Sequence, residues 1–268
     1  MIAIAHFIAI TLYVAAAALA AAPLARPVNA PVRSVLWLLS TAVAVHFGAL
    51  VALAVQAGHV YVAGLGPSLS LAGFVLAATL LVVELLARDV SLTLVAAPLA
   101  AVPTIWGNIV GFAHKAEPSG TQSVWLVAHI GLSFVGIAAF GTAAVAGLLY
   151  LFERRELKSG RFDTMFRLFP PLATLDRVNH LAALVGWLGL TLGVVLAVAY
   201  SLEYGGMRPE QLAWGIAAWL GVSGVALGRI VRGWQAHRAA IWSSVTFTVV
   251  VLLYVVLRVA GPVAGKFH

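Results

Sequence analysis

Residues 124–152 read VWLVAHIGLSFVGIAAFGTAAVAGLLYLF, and no Asp, Glu, Lys or Arg interrupts these 29 residues. A helix of about 20 apolar residues is long enough to cross the hydrocarbon layer of a membrane. The stretch therefore predicts a membrane-spanning helix. Because it is longer than a bilayer requires, we expect its cytoplasmic end to project beyond the lipid.

Similar apolar blocks fill the rest of the chain. Hydrophobic residues make up 62% of the 268 residues and charged residues 9%, whereas a soluble domain carries about 25% charged residues. We predict an all-α polytopic membrane bundle of about eight transmembrane helices, forming a single integral-membrane domain over residues 1–268. The predicted spans are approximately 2–22, 34–56, 67–87, 92–112, 124–152, 180–201, 213–232 and 240–260.

The net charge of +7 reflects membrane topology rather than nucleic-acid binding, because the basic residues lie at the ends of the apolar blocks. Twelve of the 16 Lys and Arg residues fall in the loops on one side of the predicted bundle. The positive-inside rule then places both termini outside. The connector 153–179 is the largest predicted cytoplasmic feature. It is a basic, amphipathic segment that either lies on the anionic leaflet or simply sets the topology.

Local signals refine two of the predicted spans. Pro98 and Pro103 predict a kink or a break in the fourth helix. Ser68 or Ser70 is a candidate N-cap for the third. Near the cytoplasmic end of that third span, Glu84 and Arg88 are one turn apart, and this spacing predicts an interfacial ion pair.

The chain lacks the residues that most enzyme and transporter classes need. It contains no cysteine, phosphate loop, HExxH sequence or nucleophile motif. It also has no run of intramembrane carboxylates, which argues against an ion-driven transporter. The lack of cysteine excludes disulfides, thiolate metal sites and thiol redox chemistry in the chain itself.

Histidine is the remaining chemical group within the spans. His6, His46 and His129 lie in predicted helices, and His180 is expected to open the sixth span on the cytoplasmic side. An imidazole in hydrocarbon either hydrogen-bonds to another helix or ligates a metal through an unprotonated nitrogen. Two histidines from two helices at one level would suit a haem iron. A single membrane histidine is more often a packing residue.

Tryptophan is abundant, with eight residues, six of them near predicted interfaces. An aromatic belt at the membrane surface accounts for most of them. The functional alternative is a flat aromatic shelf for a porphyrin. Trp125 and Trp214 are the best candidates for this role because they flank outer loops near His129.

The fifth block and its continuation carry a family pattern. Trp125, His129, Leu149–Tyr150 and Glu156–Leu157–Lys158 occur there in that order. This arrangement resembles the core of the cytochrome c assembly protein family, the haem-handling group that contains the CcsA, ResC and CcmC proteins.

Further motifs resemble the shorter, CcsA-like branch of YpjD type. The stretch FPPLATLD at 169–176 is similar to the branch's LPPLxxLE sequence, and residues 228–239 match its GRxxxGWxGRRA loop. His46 and the SLSL stretch at 68–71 also fit. The resemblance covers almost the whole chain, with a CcsA-like core at about 34–260.

The resemblance implies a protein that binds or presents haem on the outer side of a bacterial inner membrane. In fuller members of the family, a tryptophan-rich outer segment lies between two histidines. His129 matches the first of these. Residues 203–219 keep Pro209 and Trp214 but lack the tryptophan-rich repeat, and no histidine lies near Leu227–Gly228–Arg229.

From this resemblance we hypothesise that haem is the cofactor, with His129 as an axial ligand of the haem iron and His46 as the second. Trp125 and Trp214 would contact the porphyrin. The protein would assist cytochrome c-type biogenesis, with haem, assembly-complex subunits and the lipid bilayer as partners and no nucleic acid. It would not be an enzyme in the strict sense, because attachment of haem to cysteines would need partner proteins or a complete family site. The alternatives are a regulator or complex partner that has lost haem binding and, less favoured, a transporter of haem or another small solute.

Overall fold

The computed structural model describes residues 2–25, 31–58, 65–87, 92–112, 121–160, 170–205 and 209–260. Within these ranges every regular element is an α-helix. In chain order they are α1 Ile2–Ala20, α2 Ala22–Ala25, α3 Val32–Ala57, α4 Leu65–Ala87, α5 Thr93–Val110, α6 Thr121–Ser159, α7 Leu172–Tyr204, α8 Pro209–Ile230 and α9 Ala236–Ala260. All but the one-turn α2 are long and apolar enough to cross a membrane. The all-α fold with eight spans is therefore confirmed, and the chain is a multi-pass membrane protein.

Helices α6 and α7 are longer than the bilayer requires. The 39 residues of α6 extend about 58 Å at 1.5 Å per residue, roughly twice the thickness of the hydrocarbon layer. The end of α6 at Ser159 agrees with the expected projection of that helix beyond the lipid. Helix α7 begins at Leu172, so the prediction that the connector extends to residue 179 was wrong. Pro171 sets the start of α7, because proline fits the beginning of a helix and not its interior. His180 therefore lies in the third turn of α7 and does not open it.

The buried apolar side chains form two principal cores. The first joins α1, α3, α4 and α5 to one face of α6 and to Leu175 in the first turn of α7, and includes Tyr13, Leu39, Leu80 and Leu149. The second joins another face of α6 to α7 and α8, and includes Phe140, Leu190 and Val222. Helix α9 packs along α6 and α8. Among the described helices, α6 and α7 are the two that contribute buried residues to both cores.

Helix α5 runs unbroken from Thr93 to Val110 with Pro98 and Pro103 inside it. A break, one of the two outcomes predicted for this span, is therefore wrong. Prolines are tolerated within membrane helices where neighbouring polar groups restore the lost bonding. Next to Pro103, the Thr104 hydroxyl adds a bond by donating to the Ala100 carbonyl at 2.8 Å, whereas the carbonyls that the two prolines deprive of an N–H donor are those of Leu94 and Leu99.

Glu84 connects α4 to the first turn of α5. Its carboxylate is fully buried and accepts hydrogen bonds from the backbone N–H and the hydroxyl of Thr93. The first amides of a helix have no partner within the helix, so this carboxylate satisfies one of them. Arg88, the expected ion-pair partner of Glu84, lies outside the described residues.

Two glycines set the spacing between α6 and α7. A Cβ atom on Gly136 would lie 2.6 Å from the backbone nitrogen of Leu190, and one on Gly189 would lie 2.9 Å from the Cα of Gly136. No side chain fits between backbones this close. Small residues commonly form such contacts between membrane helices, where dispersion rather than the hydrophobic effect drives association.

Candidate functional site

Helix α6 presents His129 and Trp125 together. The two residues are four positions apart, so their side chains lie on one face of the helix, and both are partly buried. Nδ1 of His129 lies 2.8 Å from the backbone carbonyl oxygen of Gly193 on α7. This bond fixes the orientation of the imidazole ring between the two helices.

The bond to Gly193 also determines where the proton sits on His129. A carbonyl oxygen can only accept, so Nδ1 is the donor, and in the neutral ring Nε2 keeps its lone pair. Within the part of the chain that the structure describes, Nε2 has no hydrogen-bond partner. Histidines that bind metals almost always donate their other ring N–H to a carbonyl, a carboxylate or water. The hydrogen bonding of His129 is therefore compatible with metal ligation through Nε2.

Trp214 faces a different pair of helices. Its indole N–H donates to the Val250 carbonyl on α9 at 3.2 Å, and its ring centroid lies 5.4 Å from that of Tyr254. The residue therefore joins the first turns of α8 to the last turns of α9. Among the described residues, no hydrogen bond or ring contact links it to His129.

His46 belongs to a buried polar chain in the other core. Its Nδ1 lies 3.1 Å from the Tyr13 hydroxyl, and its Nε2 lies 3.0 Å from Oγ of Ser70. The same Ser70 oxygen lies 2.7 Å from Nε2 of His6, whose Nδ1 is 2.9 Å from the Ile2 carbonyl oxygen. Tyr13, His46, Ser70 and His6 all have no exposed surface. The chain ties together α1, α3 and α4.

The hydrogen bonds of this buried polar group all run in one direction, from the Tyr13 hydroxyl to the Ile2 carbonyl. The Ile2 carbonyl only accepts, so His6 donates from Nδ1 and accepts at Nε2. The Ser70 hydroxyl therefore donates to His6 and accepts from Nε2–H of His46. Nδ1 of His46 in turn accepts from the Tyr13 hydroxyl. Both ring nitrogens of His6 and both ring nitrogens of His46 are thereby hydrogen-bonded.

The structure does not bring His46 and His129 together. His46 bonds to α1 and α4, whereas His129 bonds to α7, and no described hydrogen bond or ring contact joins them. Both ring nitrogens of His46 already have polar partners, so ligation of iron would require it to release Ser70 or Tyr13. Within the described ranges, no group of three or more His, Cys, Asp or Glu residues could hold a bare metal ion. A haem iron needs at most two ligands from the protein, because the porphyrin nitrogens occupy its other positions.

Ser70 is the functional residue whose role the sequence reasoning missed. We expected Ser68 or Ser70 to cap α4, yet Ser70 lies in the second turn of that helix and bonds both histidines. The available signal was a hydroxyl near the predicted outer end of one span, with a histidine in each of two preceding spans. A local capping rule cannot detect such a pairing, because the partners are 64 and 24 residues away.

Replacing Ser70 by alanine is expected to destabilise the protein by about 1–3 kcal/mol, because it leaves one ring nitrogen of each histidine without a partner in an apolar core. Denaturant titration in mixed micelles measures the change in the free energy of unfolding. The matched control is Thr11→Ala, since the exposed Thr11 hydroxyl bonds only to Phe7 of its own helix. Equal stability of the two variants would contradict the expectation.

Comparison with known proteins connects this arrangement to a family. The family model described as "Cytochrome C assembly protein" matches residues 3–263. The chain is 28% identical over 241 residues to "Cytochrome c biogenesis protein CcsA" of Synechococcus sp. (strain CC9605), covering 77% of each protein. It is 27% identical over 190 residues to "Protein HemX" of Bacillus subtilis (strain 168), covering 63% of this chain and 67% of that protein. A CcsA protein of Prochlorococcus marinus (strain MIT 9515) is 26% identical over 163 residues, 52% of each.

Proposed function

The chain belongs to the cytochrome c assembly protein family, and from this premise we propose that it is an integral-membrane haem-binding protein that assists cytochrome c-type biogenesis. Relatives named for cytochrome c biogenesis match over about three quarters of its length. The proposal concerns what the chain binds and for which process. It does not include attachment of haem to a cytochrome by this chain alone.

The observation that carries the proposal is the hydrogen bonding of the two ring nitrogens of His129. Its Nδ1 donates to Gly193, which leaves Nε2 with a lone pair and no described partner. His6 and His46, in contrast, have both ring nitrogens bonded. Nδ1 of His180 also lacks a partner among the described residues, but that atom is buried, whereas the His129 side chain is partly exposed between α6 and α7. We therefore assign His129 as the axial ligand of a haem iron.

Three further residues complete the proposed site. Trp125 lies one turn from His129 on the same face of α6 and would contact the porphyrin. Trp214, which packs against α9 and has no described contact with His129, would be a second aromatic contact from the start of α8. His46 is the candidate for the second axial position, and it would have to exchange its bond to Ser70 for one to iron.

The role we propose is to hold and present haem, with other proteins carrying out its attachment. Haem would supply a redox-active iron and two vinyl groups that form thioethers with the cysteines of an apocytochrome, which is a separate protein. We propose that this chain acts as a binding partner and is not an enzyme in the strict sense, because it lacks the tryptophan-rich repeat over residues 203–219 and a histidine near 227–229. Its partners would be haem, the subunits of a cytochrome c assembly or other membrane complex, and the bilayer of a bacterial inner membrane.

A second candidate function is regulation, in which the protein keeps the family fold and acts through a protein partner without haem. The absence of a tryptophan-rich repeat over residues 203–219 favours this candidate. A transporter is less well supported, because the broken helix on which that alternative depended is the continuous α5.

The deciding experiment is an absorption spectrum of the detergent-purified protein after expression in haem-replete cells, recorded oxidised and reduced. We expect a Soret band whose position shifts on reduction. If no Soret band is present even after haemin is added, the haem-binding proposal fails. The regulatory candidate then predicts a protein that co-purifies stably without haem.

A further inference from the structure

A polar cleft lies between the end of α8 and the start of α9. Its volume is about 260 Å³, and it is lined by Arg232, Gly233, Trp234, Gln235, His237 and Arg238. The positive-inside rule places this connection on the cytoplasmic side, opposite the predicted outer position of His129. The cleft is therefore separate from the proposed haem site.

Two glycines fix the shape of this connection. Gly233 has a φ of +59°, a left-handed conformation that lets the chain reverse after α8. A Cβ on Gly228 would lie 2.7 Å from atoms of the Trp234 indole, so the ring packs directly on the backbone of α8. The backbone N–H of Trp234 donates to the Gly228 carbonyl at 3.2 Å. The connection is thus anchored to the helix through both its backbone and its side chain.

The tryptophan in turn positions an arginine. The guanidinium carbon of Arg238 lies 5.1 Å from the Trp234 ring centroid, and Trp242 stacks on the same indole at 6.2 Å between centroids. A cation held on an aromatic face keeps its N–H donors available at its edges. Arg238 therefore has a defined location without using its donors on a carboxylate.

The positive charge of the cleft is uncompensated. Arg229, just before the turn, forms an ion pair with Asp176 of α7. Among the residues that the structure describes, neither Arg232 nor Arg238 has a carboxylate within ion-pair distance. The amino-terminal end of α9 adds its partial positive charge to the same place. Two free guanidinium groups and a helix start thus surround a space of the right size for a small anion.

We propose that this cleft binds a phosphate group. Guanidinium groups match the oxygens of phosphate in paired hydrogen bonds, and His237 and Gln235 offer further polar contacts at the wall. The source is either the headgroup of an anionic lipid or a soluble phosphate compound. Exposed apolar residues border the connection, with Ile230 55% and Val231 75% exposed, so the cleft opens beside the lipid. This binding is independent of haem.

The test uses the full protein in a neutral detergent, with phosphatidylglycerol as the first probe and inorganic phosphate as the second. Native mass spectrometry measures lipid retention, and the thermal midpoint reports on phosphate. The variant Arg232→Gln/Arg238→Gln is expected to bind about 25-fold more weakly, at about fivefold for each arginine. The control Arg155→Gln/Lys158→Gln removes the same charge from the end of α6, on the same predicted side, and should bind within about twofold of the unmodified protein.

The results separate the two sources. Binding of phosphatidylglycerol that inorganic phosphate does not displace supports a lipid headgroup, whereas displacement supports a site for soluble phosphate as well. The variant Arg232→Lys/Arg238→Lys keeps the charge but loses the paired hydrogen bonds, so it should bind more tightly than the Gln variant and more weakly than the unmodified protein. The thermal midpoint of each variant without added lipid or phosphate guards against a folding defect. Equal binding by the two Gln variants, or no binding by the unmodified protein, would overturn the proposal.

Discussion

His129→Ala is expected to remove the Soret band from the purified protein, with haem affinity falling by more than the roughly 10- to 100-fold typical for loss of an outer-shell partner of a metal ligand. The reason is that the substitution removes Nε2, the ring nitrogen that the bond to Gly193 leaves free. Titration with haemin, followed by absorption, measures the affinity. His46→Ala, recorded in parallel, determines whether a second histidine contributes.

Two controls separate ligand loss from misfolding. His180→Ala removes a histidine from α7, the helix that pairs with α6, and should leave the band unchanged. Added imidazole should restore the band in His129→Ala, because it can occupy the space left by the side chain and bind iron in its place. Full haem occupancy in His129→Ala would show that this residue is not the ligand.

Gly189→Leu is expected to prevent folding of the α6–α7 pair. A Cβ at this position lies 2.9 Å from the backbone nitrogen and Cα of Gly136 and 3.1 Å from the Leu132 carbonyl oxygen. Overpacking against movable side chains typically costs about 1–3 kcal/mol, and a backbone yields less than a side chain does. We therefore expect a loss of more than about 3 kcal/mol, seen as little monodisperse protein in size-exclusion chromatography.

Gly224→Leu is the matched control for this prediction. It makes the same substitution in a helix of the same bundle, but no atom lies within 4 Å of a Cβ at that position. Gly224 is also exposed, and its replacement should give a normal yield. If Gly189→Leu yields as much folded protein as Gly224→Leu, the close packing of α6 and α7 is not required for stability.

The sequence predicts the number and type of elements well, for a physical reason. In hydrocarbon every backbone polar group must be satisfied within its own segment, so an apolar run of about 20 residues has essentially one stable form. The start of α7 was predicted too late, at residue 180 and not at Leu172. The reason is that Asp176, Arg177 and Asn179 lower the local hydropathy while remaining compatible with a helix. Asn179 is in fact buried, and its amide donates to the Ala143 carbonyl and to Ser243.

The candidate site is less predictable than the fold. Sequence reasoning selected His129, but not its partner, because Gly193 supplies only a backbone carbonyl and lies 64 residues away. It also selected His46 without detecting that Ser70 and Tyr13 occupy both of its ring nitrogens. Partners of this kind depend on which helices become neighbours, and apolar periodicity does not specify that arrangement in a bundle surrounded by lipid.

The place of α6 and α7 in both cores has a consequence for synthesis at the ribosome. The first core lacks Val145 and Leu149 of α6 and Leu175 of α7 until those helices enter the membrane, so helices α1, α3, α4 and α5 spend that interval with apolar side chains against lipid, which costs little. Their buried polar groups can form hydrogen bonds before α6 is inserted. The bonds among Tyr13, His46, Ser70 and His6 involve α1, α3 and α4 alone. The order of insertion thus allows the hydrogen bonds to close first and the apolar packing to follow.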